Sequence, residues 1–349
     1  EGDSVEIVLP PNFLNDPNSS NININIIIIN INITINVGDL SGGNTGENVV
    51  IDVEIRDRDD DEPNYSSEDG MNDTGKEIIV DVGNGNEDDS DEGINIIITI
   101  PIEEIVSKVT DPDKTNGYKE VEGKNGDKDL EYVDTIADPD AGKIVIVDDN
   151  YKGEKIIIIE NNKSFDDLDG HWAKDTIEQL ASKHIVGGKT DLLFSPNETI
   201  TRAEFSTMLT RALKVKEDQL ISNKFKDVSE KDWYYINVLK AYSEKLMRGV
   251  SNDLFAPNDE ITRQEVGVIL LRTFDKVQID DNQSLEGVDV SSFKDIAEIS
   301  DWAKKDFITS IQKGLIRGTS KDTLSPLEST TRAEGAVLIY RVLDLKGSI

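Results

Sequence analysis

Residues 195–204 read SPNETITRAE, residues 256–265 read APNDEITRQE, and residues 325–334 read SPLESTTRAE. One ten-residue phrase written three times marks an internal repeat. Working outward from it, Phe165, Phe225 and Phe293 open the stretches FDDL, FKDV and FKDI. Trp172, Trp233 and Trp302 follow seven, eight and nine residues later. From each Trp the spacing is constant: Gly188, Gly249 and Gly318 come 16 residues on, and Arg202, Arg263 and Arg332 come 30 residues on. Pro196, Pro257 and Pro326 each stand six before that Arg. The copies span 164–214, 224–275 and 292–345, and the parts between them vary.

Each copy reads as helix, loop, helix. In copy one, Trp172, Ala173, Thr176, Ile177, Leu180 and Ala181 share one face at helical spacing. Gly187-Gly188 is expected to stop the helix as a left-handed cap. The loop DLLFSPNETI then leads to Thr201-Arg202-Ala203-Glu204, a capping box repeated as TRQE (262–265) and TRAE (331–334). Phe205, Met208, Leu209 and Ala212 form the stripe expected to be buried, with Val266/Ile269/Leu270 and Leu338/Ile339/Val342 in the other copies.

Capping explains the Thr and the Glu but not the Arg between them. A cation in a helix's first turn opposes the macrodipole, at a cost of up to about 1 kcal/mol. One reading is an anion site suited to a carboxylate or phosphate. The other is pairing with an acid of a neighbouring copy, for instance Asp167, Asp227 or Asp295. The Trp residues divide similarly: core side chains at a helix start, or exposed plates that stack on a sugar ring. His171 and His184 have no counterpart in the other copies and read as ordinary helix residues rather than metal ligands.

The rest of the chain is a different material. Of 349 residues, 70 are acidic and 37 basic, a formal net charge of −33. Residues 1–163 hold 39 Asp+Glu and 12 Lys+Arg, net −27, and the remainder 31 and 25, net −6. All Trp, both His and eight of nine Phe lie after residue 163. The charge argues against nucleic acid and anionic lipid as partners. No apolar run is long enough for a transmembrane helix. With no Cys there is no disulfide or thiolate chemistry. The first residue is Glu with no basic-plus-apolar leader, so a signal peptide is expected to have been removed or to lie outside this sequence.

Residues 1–163 read as strands and turns. In NININIIIININITINV (21–37) Asn and Ile alternate, which places Ile on one face. The run Ile26–Ile29 shifts the phase, as a bulge or a strand break would. Further strands are expected at 48–55, 77–82, 94–102, 130–136, 143–147 and 155–160. Turn chemistry stands at Gly42-Gly43, Asn84-Gly85, Asn116-Gly117, Asn125-Gly126 and Ala141-Gly142. The expectation is an all-β, sandwich-like region, or two small ones split near 70–95. The acidic clusters Asp57–Glu62 and Glu87–Glu92 are either solvated loops that guard Ile-rich edges or Ca²⁺ ligands. Asp111, Asp113 and Glu122 approach a Ca²⁺-loop spacing, but the Gly falls one place late, at Gly117. No nucleophile, triad or phosphate-loop signature is present, so no enzymatic activity is expected.

Residues 165–345 resemble three tandem S-layer homology (SLH) domains. The resemblance rests on the FxD start, the Trp in HWA or DWA, the central GG or RG, and the TRAE box. Copy two departs with TRQE and DWYY, and copy three with Leu327 where the others have Asn. The resemblance implies an all-α, pseudo-threefold trimer of helix-loop-helix repeats with grooves between adjacent copies. It implies non-covalent anchoring of an exported protein to secondary cell-wall polysaccharide of Gram-positive-type bacteria, often through pyruvate-ketal sugars. Carried over by motif, the binding residues are Arg202, Arg263 and Arg332, Trp172, Trp233 and Trp302, and Gly188, Gly249 and Gly318. A pyruvate ketal is a carboxylate on a neutral sugar, which fits the anion site. The β region would act as spacer or lattice element beside other surface-layer subunits. The alternatives are Ca²⁺-dependent adhesion or assembly, or the localisation module of an exported enzyme.

Overall fold

The computed structural model describes residues 3–9, 23–28, 31–36, 49–57, 71–83, 94–102, 110–122, 128–138, 141–217, 220–277 and 290–347. The chain divides into two compact units, Glu1–Lys163 and Ser164–Ile349.

The first unit is built of β1 (Asp3–Leu9), β2 (Asn23–Ile28), β3 (Ile31–Asn36), β4 (Val49–Asp57), β5 (Met71–Gly83), β6 (Ile94–Pro101), β7 (Thr115–Glu122), β8 (Lys128–Tyr132), β9 (Asp134–Asp138), β10 (Lys143–Tyr151) and β11 (Ile156–Asn161). They form a six-stranded sheet, β1-β4-β5-β11-β7-β8, and a five-stranded sheet, β2-β3-β6-β10-β9. Every described pairing is antiparallel. One apolar cluster takes Val53, Ile55, Ile78, Val80, Ile156 and Ile158 from the first sheet and Ile33, Ile35, Ile96, Ile98, Ile144 and Ile146 from the second. Tyr151 of β10 is buried there, and its hydroxyl accepts from the Val80 amide of β5 at 2.8 Å, so a hydrogen bond links the sheets. Residues 71–83 lie inside the six-stranded sheet, which corrects the expectation of two small sandwiches split near 70–95: the unit has one main core.

The Asn/Ile stretch is two strands, with Ile28 opposite Ile31. The antiparallel pairing of Ile28 with Ile31 flips the parity, so Ile26 and then Ile31, Ile33 and Ile35 are all buried in the core. A hairpin without Gly leaves the same phase shift in the sequence as a bulge. The run 130–136 is also two strands. β8 pairs with β7 in one sheet and β9 with β10 in the other, with buried Val133 at the crossing. Thr135 secures the corner: its hydroxyl donates to the Val133 carbonyl at 2.9 Å and accepts from the Gly117 amide at 3.0 Å. Asn116-Gly117 is therefore not a turn but the interior of β7. A Cβ on Gly117 would stand 2.8 Å from Ile146 Cδ1, so the second sheet's side chain fills that space. Ala141-Gly142 is a turn, with Gly142 at φ 66. The other three turn pairs lie outside the described residues, as do residues 58–62 and 87–92 of the acidic clusters.

Asp111 uses its carboxylate to accept from the Asp113 amide at 3.1 Å, and it faces Lys114 Nζ at 3.9 Å. Among the described residues no group of three or more His, Asp and Glu side chains is placed to hold a metal ion.

The second unit contains α1 (Lys174–Ser182), α2 (Arg202–Ala212), α3 (Tyr235–Ser243), α4 (Arg263–Lys276), α5 (Asp301–Gln312) and α6 (Arg332–Lys346). The second helix of each copy packs on the first helix of the next: α2 on α3, α4 on α5, and α6 back on α1. The capping-box helices α2 and α4 also pack on α6. A single apolar core runs through all three copies, with Phe194, Phe205, Phe255 and Phe307 its largest fully buried members. No described helix is long and apolar enough to cross a membrane.

Backbone hydrogen bonds tie the three loops in a circle. Ile200 N donates to Thr330 O at 2.9 Å, Thr330 N to Ile261 O at 2.9 Å, and Ile261 N to Ile200 O at 3.1 Å. Ile200, Ile261 and Thr330 are equivalent positions, all fully buried. The Thr330 hydroxyl has no hydrogen-bond partner there. An isosteric Val removes that cost, so Thr330→Val is expected to stabilise the protein by about 1 kcal/mol, measured as a raised urea midpoint.

The first helices do not end on Gly187-Gly188. The left-handed residues are His184 (φ 56), Lys245 (φ 59) and Gly314 (φ 73), each twelve after its Trp. Only copy three places Gly there, so the stop signal in the other copies is carried by residues that sequence reading does not associate with a cap.

Candidate functional site

The site starts from the capping boxes. Thr201 Oγ1 accepts from the Glu204 amide at 3.2 Å, and Glu204 Oε2 accepts from the Thr201 amide at 2.9 Å. Thr262/Glu265 and Thr331/Glu334 repeat the box. Thr201→Ala is expected to lower stability by about 1 kcal/mol through the lost cap, read as a shift in the urea midpoint at unchanged slope.

Each box leaves one Glu oxygen free to face another copy, and the Arg of the preceding copy takes it. Arg202 Nη1 donates to Glu265 Oε1 at 2.7 Å, Arg263 Nη1 to Glu334 Oε1 at 3.0 Å, and Arg332 Nη1 to Glu204 Oε1 at 3.2 Å. The remaining donors go to carbonyls of the same receiving copy. Arg202 Nε and Nη2 reach Phe255 O (2.9 Å) and Arg248 O (2.7 Å). Arg263 reaches Leu324 O (3.2 Å) and Arg317 O (2.9 Å). Arg332 reaches Phe194 O (2.9 Å) and Gly187 O (2.8 Å). Copy one holds copy two, two holds three, and three holds one.

These Arg side chains are buried, 3–7% exposed. Burial pulls all three below the ordinary guanidinium range, and Glu265, Glu334 and Glu204 oppose it. Burial also pushes Glu204 up. Its hydrogen bonds to Lys189 and to the Thr201 amide, with the Arg332 charge, outweigh this and hold it below the usual glutamate range.

The FxD acids have a different task from the Arg pairing expected as one reading. Asp167 accepts from the amides of Phe194 (2.9 Å) and Ser195 (2.6 Å). Asp227 does the same for Phe255 and Ala256, and Asp295 for Leu324 and Ser325. They brace the loop at Ser195, Ala256 and Ser325, all at positive φ immediately before Pro. The central Gly residues are dictated by packing. A Cβ on Gly188 would stand 2.2 Å from Thr190 O and 2.7 Å from Phe165 Cε1, with similar clashes at Gly249 and Gly318. The FxD Phe therefore lies against the Gly of its own copy.

The Trp residues are not core. Trp172, Trp233 and Trp302 are 66%, 65% and 59% exposed. They sit at the starts of α1, α3 and α5, outside the buried faces of those helices. His171 Nδ1 accepts from the Ala173 amide at 3.2 Å.

A cavity of about 570 Å³ brings these parts together between copies two and three. Its lining includes Arg202, Arg248, Gly249, Arg272, Trp302 and Asp306. Sequence reasoning missed Arg248 and Arg272, although Arg211, Arg272 and Arg341 recur nine residues after each box Arg. It also missed the box Glu as the Arg's partner, because its capping role already accounted for it.

The family model of the S-layer homology domain matches residues 164–206, 224–266 and 292–336. The chain carries three tandem S-layer homology domains. It is similar to an amylopullulanase of Thermoanaerobacterium thermosulfurigenes, 34% identical over 257 residues, which is 73% of this chain and 13% of that protein. A surface-layer 125 kDa protein of Lysinibacillus sphaericus is 32% identical over 177 residues, 50% of this chain and 14% of that protein. A cellulosome-anchoring protein of Acetivibrio thermocellus is 31% identical over 156 residues, 44% of this chain and 34% of that protein. The chain thus spans well under half the length of these relatives.

Proposed function

We propose that this chain is an exported, wall-associated module that binds secondary cell-wall polysaccharide non-covalently through its SLH repeats and performs no catalysis. The three copies act as a pseudo-threefold trimer, and the β unit acts as a sandwich-like spacer or lattice element beside other surface subunits. The observation that carries this reading is the contrast within the site. Buried Arg–Glu pairs lock the copies together, while three equivalent Trp rings stay exposed, and Trp302 lines a cavity with Arg248 and Arg272. An exposed ring is a stacking plate for a sugar face, and a nearby guanidinium fits a carboxylate such as a pyruvate ketal. The names of the surface-layer and cellulosome-anchoring relatives support the same reading.

The test is sedimentation of the full chain with purified walls that carry the polymer. Wild type is expected to co-sediment. Replacing Trp172, Trp233 and Trp302 together with Ala is expected to weaken binding at least tenfold at unchanged melting temperature, since stacking on an aromatic contributes about 1 kcal/mol or more per ring. Co-sedimentation equal to wild type would defeat the stacking role. A second reading is favoured by the enzyme relatives, an exoglucanase and a xylanase of which the chain covers 17% and 9%: the same anchor localising a longer polysaccharide-active enzyme.

A further inference from the structure

The repeat spacing sets equivalent positions at the three junctions between copies, but the charges at those positions differ. In the groove between copies two and three, Arg248 and Arg272 line the cavity together with the carboxylate of Asp306. Arg248 and Asp306 both act on Arg272, the one opposing its charge and the other favouring it. The repeat spacing places Arg317, Arg341 and Thr176 at the equivalent positions of the next groove, where α6 packs on α1. The Arg317 carbonyl is bound by Arg263 at 2.9 Å, as the Arg248 carbonyl is by Arg202. The charged groups that act on Arg341 are Arg317 and Arg263, both of like sign. Thr176 stands where Asp306 would supply a neutralising carboxylate.

The last groove is poorer. Gly187 replaces Arg248 and Arg317, so Arg211 stands there without a second exposed Arg of this kind, and Asn237 replaces Asp306. Lys189 is near, but Glu204 engages it at 2.6 Å and Glu198 at 3.9 Å. With Arg317 exposed, Arg341 half-exposed and no carboxylate among the described residues acting on Arg341, this pair holds an excess of positive potential, which an anionic ligand relieves.

Resting on the anchoring reading above, we propose that the groove formed by Arg263, Arg317 and Arg341 beside Trp172 is the preferred seat of the anionic sugar substituent, with Arg317 and Thr176 setting that preference. The groove holding Arg248, Arg272 and Asp306 ranks second, and the one with Gly187 ranks last. Preference is then decided not by the box Arg, which is common to all three copies, but by two positions that vary among them: the residue before the central Gly and the residue four after the Trp.

The experiment is calorimetric titration of the full chain with pyruvylated wall polysaccharide and with its de-pyruvylated form. Arg317 and Arg248 are both exposed, so Arg317→Gln and Arg248→Gln are expected to fold, with melting temperature as the control. Arg317→Gln is expected to weaken binding of the pyruvylated form about tenfold, the scale of a charge-assisted hydrogen bond, and Arg248→Gln about two- to threefold. Gly187→Arg meets nothing within 4 Å at Cβ and is expected to add binding capacity for the pyruvylated form. If Arg248→Gln costs as much as Arg317→Gln, or neither changes affinity, the groove assignment falls while the anchor stands. Equal wild-type affinity for both polymers overturns the anionic substituent as the group that is read, again leaving the anchor. Absence of wild-type binding to either polymer overturns both the assignment and the anchoring reading.

Discussion

Arg332→Ala is expected to destabilise the repeat unit by about 3–5 kcal/mol, because it leaves a partly buried carboxylate, the buried Phe194 carbonyl and the partly buried Gly187 carbonyl without their donor. Glu204 then keeps Lys189 but loses the guanidinium at 3.2 Å, and the carbonyls of Phe194 and Gly187 lose bonds of 2.9 and 2.8 Å. The ring also opens, since Arg332 is the link from copy three back to copy one. At about 2–4 °C per kcal/mol for a unit of this size, the melting temperature should fall by roughly 6–20 °C. Arg332→Lys should recover only a fraction, because one ammonium cannot serve three acceptors in a fixed fork. A melting temperature within a degree of wild type, with glycan binding lost, would mean that the Arg serves ligand rather than the fold. The pair should also respond to acid. Glu204 sits below its ordinary range, so its contribution is present above the unfolded-state pKa and is lost as the pH falls through the lowered folded-state value.

Gly188→Ala is expected to cost about 3 kcal/mol, and Gly187→Ala close to nothing. The two residues are adjacent and look interchangeable in sequence. A Cβ at 188 collides with two backbone oxygens and the Phe165 ring, whereas one at 187 meets nothing within 4 Å. Neither is at positive φ, so the difference is space and not backbone strain. Backbone oxygens cannot rotate away, so the loop must shift and carry the Gly187 carbonyl off Arg332 Nη2. Differential scanning calorimetry of the two variants separates them: a drop of roughly 6–12 °C is expected for the first and under about 2 °C for the second. Equal drops would show that conformational freedom, rather than the close approach, fixes these glycines.

Constant spacing from Trp to Gly to Arg was enough to delimit the repeats, because helix length and loop length are local properties that a one-residue change would break. The capping boxes were legible for the same reason: donor and acceptor lie three residues apart. In the β unit, alternation identified most strands. It could not separate a hairpin from a bulge at 26–31, or see that residues 130–136 pass from one sheet to the other. β1 and β7 escaped notice, β7 because Asn-Gly reads as a turn until Ile146 is known to lie against the glycine.

Three readings needed the tertiary structure. The box Arg is a mobile cation on an isolated helix; only the closing of copy on copy brings Glu and two carbonyls to it from 46–145 residues away. The Trp rings share the helical period of the buried face, yet lie exposed: Trp172 and Trp233 stand just before α1 and α3, and Trp302 is the second residue of α5. The grooves exist only between copies. Local hydrogen bonding and periodicity are written in neighbouring residues, whereas which face is covered and which charge is answered depend on partners that folding brings from elsewhere in the chain.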